Sequence, residues 1–581
     1  MTTAVTVTTV ARTWWARAVL ALLVAVLIAD TPEHDAAGGG GVADGAARAA
    51  HATQVADTAA ARSGAARPDT GTAGLDPGSG AVRAVEAAAG AGAADVAARA
   101  DRALDISSAD HRALDAGSDA VAQTPVTLAR GSASYSLAVQ ARHDGEGVAE
   151  VTARAPGVDW AVPGAESAVL AIAVDGVPAT DLVVPAAHPI IRQVQLGRLR
   201  AGAHTLTITL DGQASSAGAQ TVVIDELSVS AVAPRTPGAP DPLVYAPILY
   251  GRSLPEFGGL FQNNHTDTPL LAWHTQAPVA GRPGHTVLEY SVMFSNEDGG
   301  TGDDPGYLQA RWGRQTDIEW VYRVELDAAG SVVPGSAVYQ GPNHVTLPFT
   351  GRYENGHPVL RTCTGNNMVC AVIAGAGAGA GAGGGAGGMR FFLAADHELA
   401  AGEAREQMMD AAGWTYQLSA AEARREEKIE PVASAYTPAL SDLRNYLYVV
   451  IRKTTSVPAV SVASVAPALA WVGTTVGVRL AGDPDVLYRS DHMISGWSVQ
   501  QDGAVATAVE LPPGTKLADI ATLEVLRAPA GVVDPGSTVT VTGVERAIML
   551  DADGLPAPGS LTWSGRVTLT ASEPDAVLVR P

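Results

Sequence analysis

From residue 123 onward the chain is written in short runs where apolar and polar residues alternate one by one, the period of a strand with one buried face. "SYSLAVQAR", "VAEVTAR", "AVLAIAVDG", "HTLTITLDG" and "TVVIDELSVSAV" follow one another, each bounded by Gly, Pro or Asp. Strands broken by turns in this way predict a β-sandwich over 123–231. The stretch "APRTPGAPDP" at 232–241 then reads as a linker, because proline stiffens the chain and removes the amide donors a sheet needs. A β-rich middle unit is expected over 242–455 and a C-terminal β unit over 456–581, where "TAVELPPGT", "STVTVTGV" and "GRVTLTAS" repeat the pattern. The expected fold class is mainly β, with two or three β-sandwich, jelly-roll-like units.

The period breaks in three places. A helical insertion is expected at about 399–430, where Ser419 and Glu422 have the spacing of a capping box and Pro431 supplies a stop. Residues 31–122 are Ala, Gly, Asp and Arg with almost no aromatics; such a segment cannot bury enough apolar surface to offset its own ordering entropy, so it reads as a disordered spacer. The run "AGAGAGAGAGGGAGG" at 374–388 reads as a flexible loop, and its nucleotide-fingerprint spacing follows from the repeat alone. Ahead of the spacer, Arg12 and Arg17 precede an uncharged run from Ala18 to Ala29, short for a membrane span. Residues 1–30 are therefore expected to be a signal peptide or an N-terminal anchor, placing the protein outside the cytoplasm, secreted or at the cell envelope.

Charge narrows the partners. Sixty acidic residues against 38 basic ones give a net charge of −22, and no basic cluster interrupts the excess. Nucleic acid needs a basic face to displace its counterions and is excluded as a partner; a membrane is expected only through an uncleaved N-terminal segment. Cys363 and Cys370 are the two cysteines, and in an exported chain they can close a short loop as a disulfide. Without a nearby histidine or further thiols they do not complete a zinc site.

The middle unit carries the candidate chemistry. In "HTVLEYSVMF", Leu288, Tyr290, Val292 and Phe294 share one face and Glu289 the other; in "TDIEWVYRVELD", Ile318, Trp320, Tyr322, Val324 and Leu326 oppose Asp317, Glu319, Arg323 and Glu325. Same-face acids on a strand sit about 7 Å apart, within the roughly 6.5–9.5 Å of inverting glycosidases, a spacing any such pair meets. A solvated, salt-bridged face is the alternative reading of Asp317, Glu319 and Glu289. His344 and His357 follow in "PNHVTLPFTGRYENGH" as candidate bases, with no acid beside either in sequence. Between the two strands, "SNEDGGTGDD" has turn residues, and Glu297, Asp298, Asp303 and Asp304 could also offer oxygens to calcium. No other cofactor is suggested.

Two resemblances add to this. Gly202, His204, Thr205 and Leu206, entering a late strand, and Ile224, Asp225, Leu227 and Val229, in a final one, resemble the galactose-binding-like, carbohydrate-binding β-sandwich modules. That likeness implies a sandwich that takes sugars on loop aromatics, sometimes with a structural calcium. Trp160, with Asp159 and Glu166 nearby, is then the expected sugar platform, and a core position is the alternative for Trp160. In the middle unit, Asp317 and Glu319, Tyr339 with His344, and Pro358 and Val359 before Asn366 are similar to the vacuolar-protein-sorting-associated family of plants and fungi. That implies a β-rich scaffold and no particular reaction; Ile318 stands where the family pattern has Trp, and the closing His-rich signature is missing. The expected function is an exported, non-catalytic binding or surface-interaction protein with polysaccharide as the partner class. A carbohydrate-active hydrolase or lyase using Asp317, Glu319 or Glu289 with His344 or His357 is the alternative, and a structural envelope protein a third.

Overall fold

Alternation with turn residues at its ends is what a two-sheet sandwich needs, and the computed structural model contains three of them. It describes residues 120–121, 125–234, 239–297, 304–373, 388–431, 434, 437, 439–458, 471–529 and 534–580. The signal segment and the spacer, apart from Ala120 and Val121, the Gly/Ala run at 374–387, and Asp298 and Asp303 lie outside these residues, as does part of the Pro-rich linker.

The first sandwich contains β1 (Ala120–Val121), β2 (Val126–Ala129), β3 (Tyr135–Ala141), β4 (Gly145–Arg154), β5 (Ala168–Val174), β6 (Val177–Val184), β7 (Ile190–Leu199), β8 (Gly202–Leu210) and β9 (Thr221–Val232). One sheet runs β1-β9-β4-β7 with β2 on β9, the other β3-β8-β5-β6. Val151, Leu170, Ile208 and Ile224 fill the space between them.

The middle sandwich opens with helix α1 (Pro242–Tyr245) and β10 (Ile248–Tyr250). Its larger sheet is β11 (Pro269–Pro278), β12 (Thr286–Phe294), β13 (Asp317–Leu326), β14 (Val338–Gly341) and β15 (Val345–Pro348), in chain order. The facing sheet joins β16 (Tyr353–Glu354), β17 (His357–Thr362), β10 and β19 (Arg390–Phe391), with β18 (Val369–Ala371) on β17. Leu288, Tyr290, Val292 and Phe294 of β12 meet Ile248, Val359, Leu360 and Phe391 across the gap.

Three further helices follow the chain around this sandwich. Helix α2 (Pro305–Trp312) lies between β12 and β13, where the sequence suggested a turn. Asp304 caps it, Pro305 sits at its first turn, and Gly313 ends it in the left-handed region at φ 63°. The expected helical insertion is two helices, α3 (Gln407–Ala411) and α4 (Trp414–Arg425). Ser419 and Glu422 lie inside α4 and form no capping box: both are buried, because that face of the helix meets the neighbouring sandwiches.

The last sandwich begins earlier than the sequence suggested. β20 (Tyr446–Ser456) pairs with β23 (Gly503–Glu510) and β25 (Thr538–Ile548), which carries β26 (Trp563–Leu569). Against this sheet lie β21 (Val472–Leu480), β22 (Asp483–Arg489), β24 (Ile520–Pro529) and β27 (Asp575–Val579). The apolar run of β20 is needed as the middle of that sheet, so it cannot close the middle unit.

The sandwiches share cores. Trp273, Met293 and Ile318 of the middle unit pack with Tyr416 and Ala420 of α4 and with Tyr446, Tyr448 and Ile548 of the last sandwich. On the other side, Gln195 donates to the Leu243 carbonyl at 2.8 Å, and the backbone amide of Arg390 donates to Asp181 at 2.8 Å. Helix α4 therefore runs through the place where all three meet.

Candidate functional site

The sequence set Asp317 and Glu319 on a polar face with Arg323 and Glu325; the structure separates them. Tyr290 pairs with Tyr322 and Ser291 with Trp320, so Val321 is an extra residue in β13. This bulge reverses the alternation. Beyond it Tyr322, Val324 and Leu326 face the core, and before it Asp317 and Glu319 face the same way, while Trp320 turns outward with Arg323 over its ring at 4.4 Å. Val321 among the charged positions was the signal in the sequence for the slip.

Two carboxyls thus enter the end of the sandwich core. Burial, together with the nearby charge of Glu319, pushes Asp317 up to about 8. Burial, together with the charge of Glu297, pushes Glu319 up to about 8 as well. Asn367 donates to Asp317 and to Asp267, each at 3.0 Å, and Asp267 pairs with fully buried Arg252 at 2.6 Å. Gln340 donates to Glu319 at 2.7 Å and lies 2.7 Å from Nδ1 of His344 at the surface rim. Asp267, Asn343, His344 and Asn367 all have φ between 49° and 59°, left-handed conformations that cluster where the surroundings over-determine the backbone.

The network holds two carboxyls whose ionisation burial opposes. Asp317 is 2% exposed and lies beneath Asn367. His344 Nδ1 is 3.7 Å from Glu319 Oε1, so the imidazole and the raised carboxyl are neighbours at the rim. His357 does not join them: it is buried at the junction with the first sandwich, with Nδ1 3.0 Å from the Ala246 carbonyl and Nε2 3.2 Å from Glu146. Glu289 accepts from Nε of Arg323 at 2.8 Å as a partly exposed cross-strand pair.

The acidic loop is divided in the same way. Glu297 lies 3.5 Å from Arg314 and hydrogen-bonds Asp317, while Asp304 accepts from the Gly306 amide as the cap of α2. Among the described residues, no group of three or more His, Cys, Asp or Glu side chains is arranged to hold a metal. Cys363 and Cys370 form a disulfide that closes the β17–β18 loop, whose Asn367 reaches the carboxylates.

Trp160 is not an exposed platform. It is 2% exposed, its indole N–H donates to Glu422 of α4 at 3.0 Å, and Arg425 covers its ring at 5.3 Å. A buried indole needs a partner for its N–H, and the docked helix supplies one. Glu166 is turned inward: burial opposes its ionisation, but bonds from the Gly164 amide and the Ser216 hydroxyl outweigh that and hold it below the usual carboxylate range. Asp159 is exposed and accepts from the Ala161 amide at 2.9 Å.

The loop of Asp159 and Trp160 does border a cleft of about 520 Å³ where the first sandwich, α4 and the last sandwich meet. Half-buried Trp414 reaches into it, with Arg192 5.4 Å from its ring. Asp159, His188, Arg424, Arg444 and Asp553 bring exposed polar groups to the walls, and Gln417 an amide. Leu418, Ile190, Leu443 and Leu550 supply apolar surface. Asp551 accepts the amides of Asp553 and Leu555 in the turn that carries Asp553 at the cleft. Trp414 was invisible as a site residue in sequence, because its cleft has walls from three distant segments.

No family model and no curated protein matches the chain. Among solved structures, it is similar to a carbohydrate-binding module of family 36 from a xylanase of the Trinervitermes trinervoides hindgut metagenome. That match is 11% identical, with a TM-score of 0.15, over 20% of this chain and 93% of that one. A second family 36 module, in complex with calcium and xylotriose, matches at 12% identity and a TM-score of 0.15, over 19% of this chain and 92% of that one. A family 35 module from Cellvibrio japonicus matches at 17% identity and a TM-score of 0.14, over 20% of this chain and 74% of that one. At these scores the likeness carries no argument about a ligand, and the resemblance of the middle unit to the vacuolar-protein-sorting-associated family is not among these matches.

Proposed function

We propose that the protein is an exported, non-catalytic binder of polysaccharide, and that the sugar chain lies in the cleft bordered by Trp414. The observation that carries this reading is the composition of that cleft: an aromatic ring and aliphatic surface beside carboxylates, guanidinium groups, an imidazole and an amide. Sugars present apolar C–H faces and a rim of hydroxyls, so they need such a mixture, and a cleft of 520 Å³ falls in the range of small-ligand sites. Arg424 and Arg444 both pair with Asp442, at 3.3 and 2.9 Å, and Asp159 and Asp553 add negative charge to the same cleft, which favours a neutral glycan over an anionic one. Export rests on Arg12, Arg17 and the apolar run behind them.

The test is depletion of the purified chain from solution by insoluble cellulose, xylan, mannan and chitin, with calcium and with a chelator. Selective depletion by one polymer, competed by its soluble oligosaccharide, is expected, and it should survive chelation because the cleft offers Asp159 and Asp553 but no carboxylate trio. A chain that stays in solution with every polymer would sink the reading.

A further inference from the structure

Trp160 lines the cleft, and it is held by a buried carboxylate that does not line it. Glu422 projects from α4 and is 2% exposed. Its Oε2 accepts from the indole N–H of Trp160 at 3.0 Å, and its Oε1 accepts from Arg425 at 3.2 Å. Arg425 in turn donates to the Trp160 carbonyl at 2.9 Å and lies over the indole ring. One helical turn thus grips the indole edge, the ring face and the backbone of one residue of the first sandwich, and this residue borders the cleft.

We propose that Glu422 is the positioning residue of the cleft: ionised, it fixes Trp160 in the wall, and protonated, it lets the loop at 159–161 loosen from α4. The inference rests on the reading of the cleft as the binding site. Charge is what makes the grip strong, since a carboxylate accepts a shorter and firmer bond than a neutral acid and keeps Arg425 beside it.

The surroundings bring the protonation into a physiological range. Burial first, and then the charge of Glu426, push Glu422 up to about 7, with Arg425 opposing and Asp267 adding to the rise. Lys428 pairs with Glu426 at 2.7 Å, Arg252 pairs with Asp267, and Ser295 hydrogen-bonds Glu422. His265 is the other group that titrates nearby: it senses Glu166, Arg425, Glu426 and Arg252, and burial holds it below the usual imidazole range. If only the ionised fraction is competent, affinity for a cleft ligand falls roughly tenfold between about pH 8 and about pH 6.

The experiment uses the full chain labelled with fluorotryptophan, with the Trp160 resonance identified by Trp160→Phe. Followed through neutral pH without any ligand, that resonance should move in one step centred near pH 7. Glu422→Gln should hold it at its low-pH position throughout, and His265→Asn should leave the step in place. A Trp160 resonance that does not move, or that moves equally in Glu422→Gln, would overturn the assignment. Because no ligand is used, a normal titration in a chain that binds no polysaccharide supports Glu422 as the latch and counts only against the binding reading.

Discussion

Asp317 and Glu319 keep protons that surface carboxyls lose, and this gives the protein a pH dependence of definite sign. Both are raised to about 8 in the folded chain from ordinary values of 3.8 and 4.5, so between those limits the folded state binds more protons than the unfolded one. Their contribution is complete below about pH 4 and is lost as pH rises through about 8. Melting temperature should therefore decline from pH 5 to pH 9, and Glu319→Gln should flatten the decline, raising Tm at pH 9 by roughly 2–4 °C for each kcal/mol recovered. A wild-type Tm that rises over that range would contradict the burial of these acids. The pair itself was legible in the sequence, since acids at alternate positions in a strand are easy to find. Its face was not, because one inserted residue, Val321, reverses the pattern and only cross-strand register reveals it.

Trp160 gives the opposite lesson at the same scale. A loop tryptophan between Asp159 and Ala161 looks like a platform, and its core alternative could be settled only by the distant helix that covers it. Trp160→Ala should cost about 3–5 kcal/mol, as for other buried aromatics, and also leave the Glu422 carboxylate without its indole donor. Calorimetry or chemical denaturation would read this directly. A loss under about 1 kcal/mol would mean that the indole is not buried as described.

Among the elements, helix α2 shows how local signals and tertiary contacts divide the work. Asp304 and Pro305 start it and Gly313 stops it, signals all present in "DDPGYLQARWG", yet the glycines and acids upstream made the region read as a turn. Asp304→Ala should cost about 1 kcal/mol through loss of the cap. Gly313→Ala should cost more, because the position has positive φ and a Cβ would sit 3.0 Å from the Thr507 backbone, where α2 docks on the last sandwich. A denaturation midpoint unchanged by Gly313→Ala would show that this contact does not form. Helix α4 was placed correctly as a helix because its residues favour one. Its assigned cap failed because Ser419 and Glu422 face neighbours that sequence spacing does not encode.

For the whole molecule, the mainly β character was readable from period-two runs, since that pattern is local. The seams were not: β20 looked like the end of the middle unit until its partners β23 and β25 were known, and the cleft exists only once 158–190, 414–424 and 443–554 are brought together. A binding site with walls from three units predicts that the first sandwich alone is insufficient, despite the sugar-module likeness of its strands. The most direct measurement is depletion by the polymer that retains the wild-type chain, compared for Trp414→Ala and for Trp320→Ala, whose ring lies on the outer face of β13 under Arg323. Loss of at least tenfold in affinity for Trp414→Ala, about 1.4 kcal/mol, with Trp320→Ala unchanged is the expected result. Equal retention of wild type and Trp414→Ala would place the sugar elsewhere and contradict the account.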